Sequence, residues 1–92
     1  MQEPLGCDAA SRSIRSILTH GGVRFSRHAF EEMKADGLTT PDVLNVLRGG
    51  VVEPPEFEQG TWRYRVRTPV AYVVVAFRSE EELVVVTAWR IK

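Results

Sequence analysis

The chain is predicted to be a single α+β domain, with two or three N-terminal helices packed on one face of a C-terminal antiparallel β-meander. Three observations lead there. Apolar residues recur at helical spacing in stretches that end on glycine throughout the first fifty residues. After Gly50 the apolar period drops to two. Short polar turns then separate three strand-like runs, the pattern of strands joined in sequence. Ninety-two residues suffice for one core and no second domain.

Residues 1 to 7 carry no periodicity and are read as a mobile lead-in. In "DAASRSIRSILTHGG" Ile14, Ile17 and Leu18 fall at i, i+3 and i+4 before Gly21 and Gly22, giving a helix over about 11 to 20. "VRFS" follows as a brief strand or extended link. Ser26 is placed to cap a helix over 27 to 36, with Phe30 and Met33 toward the core and Gly37 at its end. "TTPDVLNVLRGG" predicts a third helix over 41 to 48, with Thr40 as N-cap, Pro41 at the first position and Val43, Leu44 and Leu47 buried.

Pro54 and Pro55 confine the next segment to a sheet edge or a bulged connection. Residues 61 to 67, 70 to 78 and 83 to 91 then read as strands. Side chains on a strand alternate, so Trp62, Tyr64 and Val66 should join Val73, Val75 and Phe77 under the helices, while Arg63, Arg65 and Arg67 share the opposite face with Tyr72. A turn at Thr68 and Pro69 would set Arg65 across from Tyr72 and Arg63 across from Val74. The second hairpin has two readings. A two-residue turn opposes Tyr72 to Trp89, and a three-residue connection opposes it to Arg90; a slip of one residue exchanges the faces.

Charge narrows the function. Twelve basic residues balance twelve acidic ones, so the chain lacks an overall field for nucleic acid. The charges are segregated, however: 61 to 78 holds Arg63, Arg65, Arg67 and Arg78 without an acid, between Glu53, Glu56 and Glu58 on one side and Glu80, Glu81 and Glu82 on the other. Such an arginine row is either solvated surface or a phosphate site whose acidic flanks confine a strand. Cys7 is the only cysteine, and neither it, His20 nor His28 shows metal-ligand spacing, so no metal or other cofactor is expected. No apolar run spans a bilayer and no signal peptide opens the chain; a cytoplasmic protein away from membranes is the expectation.

Taken together, "GGVRFSRHAFEEMKADGLTTPDVLNVLRGG", a tryptophan-bearing strand and the ending "VVVTAWRIK" resemble a bacterial family catalogued as domain of unknown function 4258. More distantly they resemble the motility quorum-sensing regulator toxins among the RelE-like mRNA interferases. The resemblance covers about 12 to 92 and implies a RelE-like fold, metal-independent cleavage of mRNA, and a cognate antitoxin as protein partner. It implies catalytic roles for Tyr72 and for Arg90 as the terminal base. Arg63 stands where that branch has a glutamine, and no basic residue between Arg48 and Arg63 takes the place of its first-strand lysine.

RNA cleavage of this kind needs a proton acceptor for the ribose 2'-hydroxyl, positive charge on the phosphate and an acid for the leaving oxygen. Arg63, Arg65 and Arg67 can supply only charge, since a guanidinium stays protonated. Tyr72 can move a proton. His28, whose residue type titrates nearest neutrality, is a third catalytic candidate, against a plainer role in its helix beside Glu31 and Glu32. The alternative function is a non-catalytic protein-binding module of the same fold.

Overall fold

The computed structural model describes all residues, 1–92. Helix α1 (Cys7–His20) leads into strand β1 (Gly22–Phe25), then α2 (Arg27–Asp36) and α3 (Thr40–Gly49). Strands β2 (Val51–Val52), β3 (Glu56–Glu58), β4 (Thr61–Arg67), β5 (Ala71–Phe77) and β6 (Glu82–Arg90) complete it. The sheet order is β1-β6-β5-β4-β2, with β3 also on β4. The expected meander is its centre, but β1 joins β6 in parallel, so the sheet is mixed.

Local chemistry explains the helices. Ser26 caps α2 by accepting from the Ala29 amide, and Gly37 closes it at φ 68°, a left-handed backbone that favours glycine. Helix α3 starts one residue earlier than expected: Thr39 is the N-cap, because Asp42 three residues on completes a reciprocal capping box with it. That contact holds the Asp42 carboxyl below its ordinary range, with Arg90 adding a smaller push in the same direction.

One core lies between the helices and one sheet face. Ile14 and Ile17 of α1, Met33 of α2, and Val43 and Leu47 of α3 pack with Tyr64, Val66, Val73, Val75, Leu83, Val85 and Ala88. The alternation along β4 and β5 is as expected, with Tyr64 and Val66 wholly buried and Trp62 and Phe77 packed partly against the same cluster. Phe30 is a correction. It is 51% exposed and stacks on Phe25, ring centroids 5.2 Å apart, because Ala29 and Met33 form the buried stripe of α2.

Tyr64 closes one end of this core against the segment before α1. Its hydroxyl accepts from the Leu5 amide and donates to Glu3 Oε2, each at 2.9 Å, and its ring meets Phe77 edge-on. Burial, the largest cause, and the Glu3 carboxylate push the phenol up to about 12, against the Leu5 amide, which ranks second and pulls it down.

Both hairpins depart from simple turn counting. The first pairs Arg67 with Tyr72, Arg65 with Val74 and Val66 with Val73. The expected register is therefore off by two residues, which preserves the faces but changes the neighbours. The Thr68 amide donates to the Ala71 carbonyl, and Thr68 Oγ1 accepts from Val70 and Ala71, moving the turn one residue onward. In the second hairpin Tyr72 faces Trp89 and Val74 faces Thr87, yet Val75 faces Val85. Val86 is thus an extra residue, a β-bulge that swaps the parity of β6: Leu83, Val85 and Ala88 all point to the core.

Candidate functional site

All three helices pack on one side of the sheet, leaving the other side uncovered by any element. That open face carries Arg63, Arg65 and Arg67 of β4, Tyr72 and Val74 of β5, and, after the bulge, Thr87 and Trp89 of β6. The arginines and Tyr72 do share a face, as the alternation implied.

Their partners were not foreseen. Pro54 and Pro55 break the edge strand between β2 and β3, and β3 folds back on β4 through a two-residue turn at Gln59 and Gly60, both at positive φ. This lays Glu56 opposite Arg63 and Glu58 opposite Thr61. The acids therefore stand on the arginine column instead of beside it: Arg63 Nη1 is 3.9 Å from Glu58, Arg65 Nη2 3.6 Å from Glu56 and Arg67 Nε 2.8 Å from Glu53. On the far side Arg24 and Arg78 both reach Glu82, at 3.1 and 3.3 Å. All these pairs are at least partly exposed, and such pairs contribute about 0 to 1 kcal/mol each, so an incoming charged group can exchange with them.

One row crossing the strands has chemical content. The Glu53 carboxylate accepts from Arg67 Nε at 2.8 Å. Arg67 is the cross-strand partner of Tyr72, and Tyr72 of Trp89. The two rings stack with centroids 5.1 Å apart and planes 22° from parallel. A proton acceptor, a fixed positive charge, a phenol and an aromatic platform thus lie in sequence across one open surface. No three His, Cys, Asp or Glu side chains gather to hold a metal ion.

Arg90 and His28 are placed elsewhere. The bulge that turns Trp89 to the open face turns Arg90 to the helix side, where its amide donates to Asp36 Oδ2 and its guanidinium to the carbonyls of Asp36 and Gly37. It caps the end of α2 and does not join Tyr72: of the two expected registers, the one opposing Tyr72 to Trp89 holds and the one opposing it to Arg90 does not. His28 sits in the first turn of α2, which packs on the opposite side of the sheet, with Nε2 3.7 Å from Glu32. Of the three catalytic candidates, only Tyr72 lies with the arginines. Sequence reading placed Glu53, Glu56 and Glu58 beside this surface and not on it, and gave Trp89 opposite Tyr72 as one of two registers. The signal for the glutamates was available in "EFEQGTWR", where a hairpin at Gln59 and Gly60 aligns the acids with the arginines.

The fold and this surface define a small α+β domain with a mixed sheet bare on one side and laced there with arginine and glutamate. Over residues 25–90 the chain matches the family model described as Domain of unknown function (DUF4258), and it belongs to that family. Comparison with curated proteins and with solved structures returns no match to either. No helix is long and apolar enough to cross a membrane.

Proposed function

We propose that this chain is the toxin of a bacterial toxin–antitoxin pair, a metal-independent endoribonuclease that takes single-stranded mRNA on its open sheet face. The observation that carries this reading is the row Glu53, Arg67, Tyr72 and Trp89. Stacked aromatics beside basic side chains on an uncovered sheet suit single-stranded RNA, since every base offers a π-face and every nucleotide a phosphate.

In the proposed reaction the Glu53 carboxylate accepts the proton of the ribose 2'-hydroxyl. The freed oxygen attacks the adjacent phosphorus, Arg67 neutralises charge on the pentacoordinate phosphate, and Tyr72 donates its proton to the departing 5'-oxygen. The products are a 2',3'-cyclic phosphate and a 5'-hydroxyl end. Trp89 holds a neighbouring base, and Arg63 tracks the backbone. An antitoxin would occupy this face or extend a free sheet edge, either β1 or the opposite edge formed by β2 and β3.

A second reading, a non-catalytic protein-binding module, is favoured by one observation: each arginine of the column already faces a glutamate. Tryptophan, tyrosine and arginine are also the residue types that dominate protein interfaces. Induced expression separates the two. Growth arrest and RNA fragments with cyclic phosphate ends, both abolished by Tyr72→Phe in a folded protein, support the nuclease. Harmless expression together with no RNA binding supports the module.

A further inference from the structure

Beside the stacked pair lies a cleft of about 120 Å³ lined by Glu56, Glu58, Arg63, Arg65, Val74, Thr87 and Trp89. Its floor is Val74, only 7% exposed although it belongs to the open face, with Thr87 as cross-strand neighbour. Trp89, backed by Tyr72, forms one wall, and the arginine and glutamate column forms the other. A cavity near 150 Å³ can enclose benzene, so this smaller, open-sided cleft is of the right order to admit one planar ring edge-first.

We propose that this cleft is a guanine-reading subsite, with Glu56 and Arg65 as the readers. The proposal rests on the RNA-binding reading above and adds the base it selects. Glu56 Oε1 and Arg65 Nη2 are 3.6 Å apart, beyond hydrogen-bond length, and both side chains are about half exposed. Each therefore keeps capacity to bond a ligand. Arg63 donates to Thr61 Oγ1 and Gln59 Oε1 and forms the adjoining wall.

A carboxylate only accepts, through two adjacent oxygens, and a guanidinium only donates. Side by side they present two acceptors next to a donor. Guanine alone among the RNA bases offers the complement on its Watson–Crick edge: N1–H and N2–H donors next to the O6 acceptor. Adenine and cytosine set a ring acceptor beside their amino group, and uracil flanks its single N–H with two acceptors, so each would turn a lone pair toward Glu56. Bases stacked on aromatic rings and read on this edge are the usual mode of single-stranded RNA recognition.

The test is fluorescence anisotropy with labelled uridine octamers that differ only at one central nucleotide: guanosine, inosine, adenosine or uridine, each 2'-deoxy to remove the nucleophile. The guanosine strand is expected to bind roughly tenfold more tightly than the adenosine or uridine strand, the scale of one good bidentate contact. Inosine, which lacks the 2-amino group, should fall between. Glu56→Ala should erase the guanine preference while leaving uridine binding as strong or stronger. Glu80→Ala, the same charge change on an exposed turn away from the cleft, should preserve it. Equal binding of all four strands would overturn the guanine subsite and leave the RNA-binding reading standing. Failure of every strand to bind at low salt would overturn both.

Discussion

The Ser26 hydroxyl donates to the Val86 carbonyl at 2.9 Å while accepting from the Ala29 amide at 3.0 Å. One side chain thus caps α2 and holds the bulge that decides which side of the sheet Trp89 and Arg90 occupy. The Ser26 amide adds a bond to the neighbouring Val85 carbonyl. Ser26→Ala should therefore cost about 1 to 2 kcal/mol, a lost cap plus a carbonyl left short of a donor. Chemical denaturation measures it, and a cost within error would mean that the strand ladder alone holds the bulge.

Tyr64 predicts an alkaline limb. Its folded value, about 12, lies above the ordinary phenol value of 10.0. The neutral form is favoured by the fold, so this contribution is fully present below pH 10 and is lost as pH rises from 10 through about 12. Absorbance titration should show one of the two tyrosines ionising late. Tyr64→Phe should remove that limb and cost about 0.5 to 1.5 kcal/mol at neutral pH through the lost bonds to Leu5 and Glu3.

Tyr72 and Trp89 should separate chemistry from binding. Tyr72→Phe keeps the stacked ring and removes the proton, so cleavage should fall by about 10²-fold or more with RNA affinity unchanged. Trp89→Ala removes the platform, and affinity should drop by the equivalent of about 1 to 3 kcal/mol. Equal losses of binding in both variants would count against the assigned roles.

The arginine column should register in the salt dependence of binding. Each phosphate contacted contributes about −0.7 to the slope of log affinity against log salt for a single strand. Arg67→Ala should make the slope shallower by roughly that amount, measured with short RNA over a salt series. An unchanged slope would remove Arg67 from the phosphate contacts.

Asp42 offers a check at acid pH. Its carboxyl is lowered chiefly by the Thr39 amide and hydroxyl, so the stabilisation it brings is complete above the ordinary value of 3.8 and is lost as pH falls through the lower folded value. Thr39→Ala removes the hydroxyl and keeps the backbone amide, so the Asp42 midpoint, followed by carboxyl chemical shifts, should rise only part of the way toward that ordinary value. A midpoint that stayed put would assign the depression to the Thr39 amide without the hydroxyl.

The candidate site was only partly legible. Arg63, Arg65 and Tyr72 fall on one face for the reason their sequence positions state, but Glu56 and Glu58 reach them only because β3 folds back through Gln59 and Gly60. Arg90 looked available to Tyr72 until β6 acquired an unpaired Val86.

What the sequence by itself determined is what neighbours along the chain decide: the helix limits at Ser26 and Gly37, the proline break at the sheet edge, and the opposite faces of Tyr64 and Arg65. These follow from backbone geometry and side-chain periodicity within a few residues. Only the tertiary structure decided that Tyr72 stacks on Trp89, that Arg90 caps α2 and that three glutamates cover three arginines. Strand register is set by ladder bonds and packing between distant segments. One extra residue, held by a serine sixty positions away, exchanges the two faces of all that follows.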